Sequence, residues 1–377
     1  MKSRKGIQTR VGGYFSGKAI LRYSGVEKCS LVLVCAAFGF CQRKSAAKCG
    51  LNRFVQILAA AAALINSPAA LAQPAPLLWQ QVDSLFAPLP TGVHVYQTTT
   101  PLEGTPNRAF YITLPLQNKQ LEFNTQVGRG KRFTPAEYFE QENKPLVVVN
   151  ATFFSFADNR NLNLVIRHGM LQAYNAPVQR MPPPDTTRYY YLTRGAIGIN
   201  KKRQADVAWT FTDTALRYPY ALLNGPSTAT GPNPDPSWPQ LASQLEGGGR
   251  KKIKWKMETA VGGGPVLLEM GRLAITNKEE RMFVNGANTR EPRTAMGYTK
   301  NGHLIIMVVE GRNPGLAEGA SLVHLAHMLQ QVGCHEALNL DGGGSSCLLI
   351  NGKETIKPSD KTGQRPVPAV FMVQVKP

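Results

Sequence analysis

The sequence predicts an α+β fold, rich in sheet, with few helices and one catalytic-sized domain. Three observations predict it. Short apolar runs, alternating or continuous, recur along most of the chain, helix signals are confined to two places, and glycine and proline punctuate the runs (35 Gly and 27 Pro in 377 residues). Runs of this length suit strands, because a buried helix needs a longer apolar stripe.

In chain order, residues 1–50 form a basic leader with four of the six cysteines (Cys29, Cys35, Cys41 and Cys49) and a single acid, Glu27. A start near Leu51 would make this leader a misassigned extension. Arg53, the apolar run Phe54 to Ile65 and the small-residue end Ala70-Leu71-Ala72 have the layout of a secretory signal, so 51–72 is expected to be cleaved near Ala72. The run is too short and alanine-rich for a permanent membrane span. An exported chain, periplasmic or secreted, is the expected result. Residues 73–90 read as a linker with an amphipathic start (Trp79, Val82, Leu85 and Phe86), and 91–377 as the domain.

Strands are expected at 93–96, 109–114, 146–149, 164–166, 196–199, 207–211, 265–268, 304–309, 337–340, 347–350 and 369–375. Thr134-Pro135-Ala136-Glu137 supplies a cap, a first-turn proline and an early acid, which predicts a short helix to about Glu142. Ser321 to Gln331 is the clearest helix. Leu322, Leu325, Ala326, Met328, Leu329 and Val332 give it an apolar face, and Gly333 sits where a terminating glycine belongs. His324 and His327 on that helix lack a third ligand and read as helix-surface histidines. Residues 225–249, proline- and glycine-rich, read as a long surface loop.

The chain carries a formal charge of +19. Without residues 1–72 there remain 32 basic and 23 acidic residues, a net charge near +9, which suits an anionic substrate. Nucleic acid is not expected, since no basic stripe interleaves with aromatics. The run Arg250 to Lys256 reads as an exposed strand. Cys334 and Cys347 fit either one disulfide or two reduced thiols.

The most informative stretch is Leu338-Asn339-Leu340-Asp341-Gly342-Gly343-Gly344-Ser345-Ser346. A strand delivers one carboxylate to its end, and three glycines and two hydroxyls follow. Such a turn lets a ligand approach the main chain and can aim N–H groups at an anion. A glycine-rich hairpin turn capped by Asp341 is the bland alternative. Other signatures also end strands: Asn150-Ala151-Thr152-Phe153-Phe154, Gly262-Gly263-Gly264-Pro265, Pro292-Arg293-Thr294-Ala295 and Glu310-Gly311-Arg312.

In this order, these motifs resemble the phosphodiester glycosidase family over roughly residues 145–375, with Ala151 where the family has glycine and Glu310 where Asp is common. The resemblance implies a hydrolase that cleaves a sugar-1-phosphodiester at the glycosidic bond, in a phosphorylated glycan or anionic polysaccharide. Asp341 is the first candidate for the base or nucleophile at the anomeric carbon and Glu310 the second. Arg293 and Arg312 are candidates to grip phosphate as planar forks. Asn150, Asn339, Thr294, Gly263, Gly342, Gly343, Ser345 and Ser346 are the remaining substrate-binding candidates. An Arg293–Glu310 ion pair and a self-satisfied serine turn are the structural alternatives. The sequence requires no cofactor and assigns no metal ligands, although a divalent cation such as calcium is compatible with it. A non-catalytic binder of anionic polysaccharide, in exopolysaccharide assembly or export, is the second functional reading. A metal-dependent phosphodiesterase is the third.

Overall fold

A computed structural model describes residues 76–247, 249 and 251–376. The leader, its four cysteines, the signal segment and Arg250 lie outside the described residues. Among the described residues no helix is long and apolar enough to cross a membrane.

The fold is sheet-rich, with three α-helices among the described residues. An eight-stranded sheet runs in the order Gln80–Gln81, His94–Thr98, Ala109–Pro115, His303–Val309, Arg293–Thr299, Cys334–Asn339, Val266–Glu269 and Arg272–Leu273. A five-stranded sheet runs Lys353–Glu354, Leu348–Ile350, Val147–Asn150, Ala369–Val375 and Leu121–Val127. Seven-stranded and three-stranded sheets complete the domain. The pairings nearest the site are antiparallel.

The period-two pattern explains how these sheets stack. Along His303–Val309, Leu304, Ile306 and Val308 enter one apolar cluster together with Val147, Val149, Phe371 and Val373 of the five-stranded sheet. Ile305, Met307 and Val309 enter a second cluster on the opposite face, with Leu322, Leu325, Ala326, Met328 and Leu329 of the helix Leu322–Gln331. The strand is therefore sandwiched, and each fully buried side chain of this size contributes about 1.5–3 kcal/mol. A one-residue slip would exchange the two faces.

The helix Leu322–Gln331 begins where expected. Ser321 Oγ accepts from the His324 N–H (3.1 Å) and the Ser321 N–H donates to His324 Nδ1 (3.3 Å), a reciprocal cap. That fixes the other ring nitrogen, Nε2, as the donor toward Glu103 Oε2 at 3.1 Å. Gly333 ends the helix with φ +85°. The short helix Pro135–Gln141 is capped by Thr134 and Glu137.

Two expectations change, and the open choice at the cysteines is decided for reduced thiols. The stretch read as a linker contributes strand Gln80–Gln81, and Val82 and Phe86 are buried in the first cluster, because their apolar faces find the sheet. Residues 225–249 are not one loop: they hold strand Thr228–Gly231 and helix Trp238–Leu245, whose Leu241, Ala242 and Leu245 pack with Tyr191, Phe211 and Leu222. Cys334 and Cys347 are both buried and free, and burial pushes both thiols well above their ordinary range. Lys252–Lys254 is an exposed edge strand, as the sequence suggests.

Candidate active site

Asp341 follows the strand Cys334–Asn339 and is pinned through its own backbone. The Leu340 N–H donates to Thr294 O (2.9 Å), the Asp341 N–H donates to Ala151 O (3.0 Å), and Asn150 Nδ2 donates to Asp341 O (2.6 Å). The carboxylate is then folded back over its loop, accepting from the Gly342 N–H at 2.9 Å and from the Ser345 hydroxyl. The residue as a whole keeps partial exposure. Burial pushes its pKa up to about 7, against the pull of the Ser345 and Gly342 hydrogen bonds and the Arg365 charge. A carboxyl group poised near neutrality can hold or release a proton at working pH, as acid–base and nucleophilic chemistry require.

Glycine shapes what surrounds it. Gly343 has φ +60°, and a Cβ on Gly344 would lie 2.2 Å from Arg365 Nη2. The bare backbone thus lets the Arg365 guanidinium press against the turn, while a Cβ at Gly343 would meet Arg312 Nη2 at 3.1 Å. Two guanidiniums therefore flank the Asp341 loop. Arg312 Nε is held by Glu291 (2.8 Å) and Arg365 Nε by Asp360 (2.7 Å). Neither Nη group of Arg312 has a hydrogen-bond acceptor among the described residues. Arg365 Nη1 also reaches Ser345 Oγ at 3.5 Å. The N–H groups of Gly342, Gly343, Ser345 and Ser346 are spent on protein acceptors. The turn therefore contributes shape rather than the row of free donors expected from sequence.

Beneath the loop lies a buried polar hub. Asn150 Oδ1 accepts from Thr294 Oγ1 (2.9 Å) and from the Cys347 N–H (3.1 Å), and Ser346 Oγ is 3.2 Å from Thr294 Oγ1. Asn150, Thr294 and Ser346 are all buried. Asn339 Nδ2 donates to Gly264 O at 2.8 Å, and its buried Oδ1 has no partner among the described residues. Gly263 is enclosed, since a Cβ there would lie 2.4 Å from Asn339 O. These five positions hold the loop from below instead of facing solvent. Ala151 is also buried and lies outside the left-handed region, so this backbone needs no glycine there.

Two candidates point inward. Glu310 is fully buried: Oε1 accepts from Asn313 Nδ2 (2.9 Å), and Oε2 accepts from the Lys357 N–H (3.2 Å) and faces Arg108 Nη1 (3.5 Å). A carboxylate so enclosed is placed to brace loops, not to meet a sugar. Arg293 pairs with neither Glu310 nor solvent. It donates to Ala320 O (2.9 Å) and Thr289 O (2.8 Å), lies over the Phe283 ring, and is pushed down to about 10 by burial. Arg365 is the group that the sequence reading omitted. Its only signal was its place just before the strand Ala369–Val375, the same strand-end position as the motifs above. Among the described residues no group of three or more His, Cys, Asp or Glu side chains is placed to hold a metal ion.

Comparison with known proteins agrees with the motif order. The phosphodiester glycosidase family profile matches residues 143–374. The mouse N-acetylglucosamine-1-phosphodiester alpha-N-acetylglucosaminidase is 35% identical over 83 residues, 22% of this chain and 16% of the mouse protein. The SPbeta prophage-derived uncharacterized protein YomE of Bacillus subtilis (strain 168) is 36% identical over 73 residues, 19% of this chain and 11% of that protein. The matched stretches thus span less than a fifth of either relative. A solved structure of a hypothetical protein from Synechocystis shares the fold, with a TM-score of 0.52 at 18% identity over 80% of this chain and 64% of that one. With the matched profile covering more than half of its length, this chain belongs to the phosphodiester glycosidase family.

Proposed function

We propose that the protein hydrolyses a sugar-1-phosphodiester in a phosphorylated glycan or envelope polysaccharide, freeing the sugar and leaving a phosphomonoester on the partner. The observation that carries this reading is the Asp341 carboxyl group, raised to about 7 by burial and flanked by the guanidiniums of Arg312 and Arg365. In this reading the two arginines grip the non-bridging phosphate oxygens. Deprotonated Asp341 acts at the anomeric carbon, as nucleophile or as the base that takes a proton from water. The C1–O bond breaks, its electron pair leaves with the phosphate, and water supplies the new anomeric hydroxyl. Because arginine-paired phosphate departs as a stabilised anion, no strong general acid is needed. Asn150, Thr294 and Ser346 serve as positioning residues that hold the loop.

The test incubates the purified protein with UDP-N-acetylglucosamine and with a methyl phosphodiester of N-acetylglucosamine-α-1-phosphate, followed by NMR. Free sugar is expected from both, with UDP and methyl phosphate as the respective phosphate products, and release should vanish with Asp341→Asn. A sugar phosphate as the product would overturn the reading. The signal-like layout of residues 51–72 adds the proposal that the protein acts outside the cytoplasm with a mature start at Gln73, which N-terminal sequencing of the native protein checks.

A further inference from the structure

Beside the Asp341 loop, Arg132, Phe154 and Phe156 adjoin Arg365 and are left unused by that mechanism. Phe156 is 64% exposed, unusual for a large aromatic ring, yet it is not loose. Its ring lies 4.7 Å from the buried Phe154 ring, and two guanidiniums sit against it: Arg365 at 5.5 Å and Arg132 at 5.4 Å from the centroid. Arg132 also lies 5.4 Å from the Phe154 centroid. Arg365 is the same side chain that presses on Gly344, so the ring adjoins the phosphate-gripping end of the site. With each guanidinium within 5.5 Å of one centroid, the two cations are at most about 11 Å apart.

Arg132 differs from the other arginines here. Arg312 is neutralised by Glu291 and Arg365 by Asp360. Arg132 has no carboxylate partner and no hydrogen-bond acceptor among the described residues; only the two rings hold it. Its planar fork of donors is fixed by cation–π contacts and left uncommitted, which suits a phosphate oxygen pair. The solvent-exposed part of Phe156 offers apolar surface of the kind against which the C–H face of a sugar ring packs. Arg129 and Lys131, both exposed, extend the positive charge along the same segment.

We propose that Arg132, Phe154 and Phe156 form, together with Arg365, a second substrate subsite. The sugar on the leaving-group side stacks on Phe156, and the next phosphate along the chain pairs with Arg132. The ligand class is a glycan with phosphodiesters in consecutive repeats, rather than an isolated sugar phosphate or a nucleotide sugar. The position of the first phosphate rests on the cleavage reading above; occupancy of the second does not depend on turnover.

The test uses the full chain carrying Asp341→Asn, so that ligands stay intact, and titration calorimetry at low and physiological salt. The probes are a synthetic trimer of hexose-1-phosphodiester repeats, the single-repeat methyl diester, and a uronic-acid trimer of matching charge. The phosphodiester trimer should bind roughly tenfold or more tightly than the single repeat, the scale of one charge-assisted hydrogen-bonded contact. Adding Arg132→Gln, or separately Phe156→Ala, should bring that ratio close to one, with melting temperature confirming folded protein. Equal affinity for trimer and single repeat, or a ratio unchanged by Arg132→Gln, overturns the subsite. An equal length advantage for the uronic-acid trimer overturns its phosphate class. If the chain with Asp341 intact releases no sugar while the Arg132-dependent advantage persists, the cleavage reading fails and the subsite stands.

Discussion

Asp341→Asn perturbs the site in two separable ways. The carboxyl group is raised from 3.8 to about 7, chiefly by burial. A folded pKa above the unfolded value means that the native state binds more protons, so stability is lost as pH rises from about 4 through about 7. A shift of roughly three units corresponds to about 4 kcal/mol in full, of which roughly 2–3 kcal/mol falls between pH 5 and pH 8. Asparagine stays neutral and keeps an oxygen for the Gly342 N–H, so its variant escapes this loss. The difference in melting temperature, variant minus wild type, should therefore widen by about 5 °C or more from pH 5 to pH 8. Turnover should fall by about a thousandfold or more, while wild-type kcat/KM should rise with pH through a limb near 7 as the carboxylate forms. Calorimetric scans and a pH–rate series on the same preparations provide both readouts. A pH-independent melting difference would refute the raised pKa, and turnover within tenfold of wild type would refute the catalytic role.

Other substitutions separate scaffold from chemistry. Asn150→Ala removes the donor to Asp341 O, leaves the buried Cys347 N–H without its acceptor and leaves the Thr294 hydroxyl only Ser346 Oγ. It should cost about 2–4 kcal/mol in denaturant melts and lower kcat by loosening the loop. Gly344→Ala would push the Arg365 guanidinium off the turn, since its Cβ falls 2.2 Å from Nη2. Because a flexible side-chain end can move, KM should rise roughly tenfold with a stability change under about 1 kcal/mol. Glu310→Gln should lower stability by about 1–3 kcal/mol while leaving kcat within a few-fold, which distinguishes a brace from a second catalytic carboxylate. A thousandfold loss of kcat in this variant with an unchanged melting temperature would reverse that assignment.

Much of the scaffold was legible because it follows from periodicity. The continuous apolar run at 304–309 marked a strand, which the fold buries on both faces, and Ser321 and Gly333 bracketed the helix that covers one of them. Strand Leu121–Val127 escaped because polar Asn124, Thr125 and Gln126 interrupt its apolar pattern. Helix Trp238–Leu245 hid behind proline-rich flanks, although Ser237 and Gln240 form its start: the Ser237 N–H donates to Gln240 Oε1 at 3.1 Å. In the candidate site, Asp341 stood out because one carboxylate between an apolar strand and three glycines has few structural duties. The roles of Asn150, Thr294 and Ser346 depend on long-range contacts, which place residues 144 positions apart within hydrogen-bond reach. Arg365, Arg132 and Phe156 become neighbours only through the fold, so no local pattern announced them.

The central claim concerns which bond breaks, and isotope labelling reads it directly. Hydrolysis of the methyl phosphodiester of N-acetylglucosamine-α-1-phosphate in 18O-water, followed by mass spectrometry, should place the label in the anomeric hydroxyl of the sugar and none in the phosphomonoester. Label in the phosphate would mean attack at phosphorus, and would contradict the role assigned to Asp341 at the anomeric carbon.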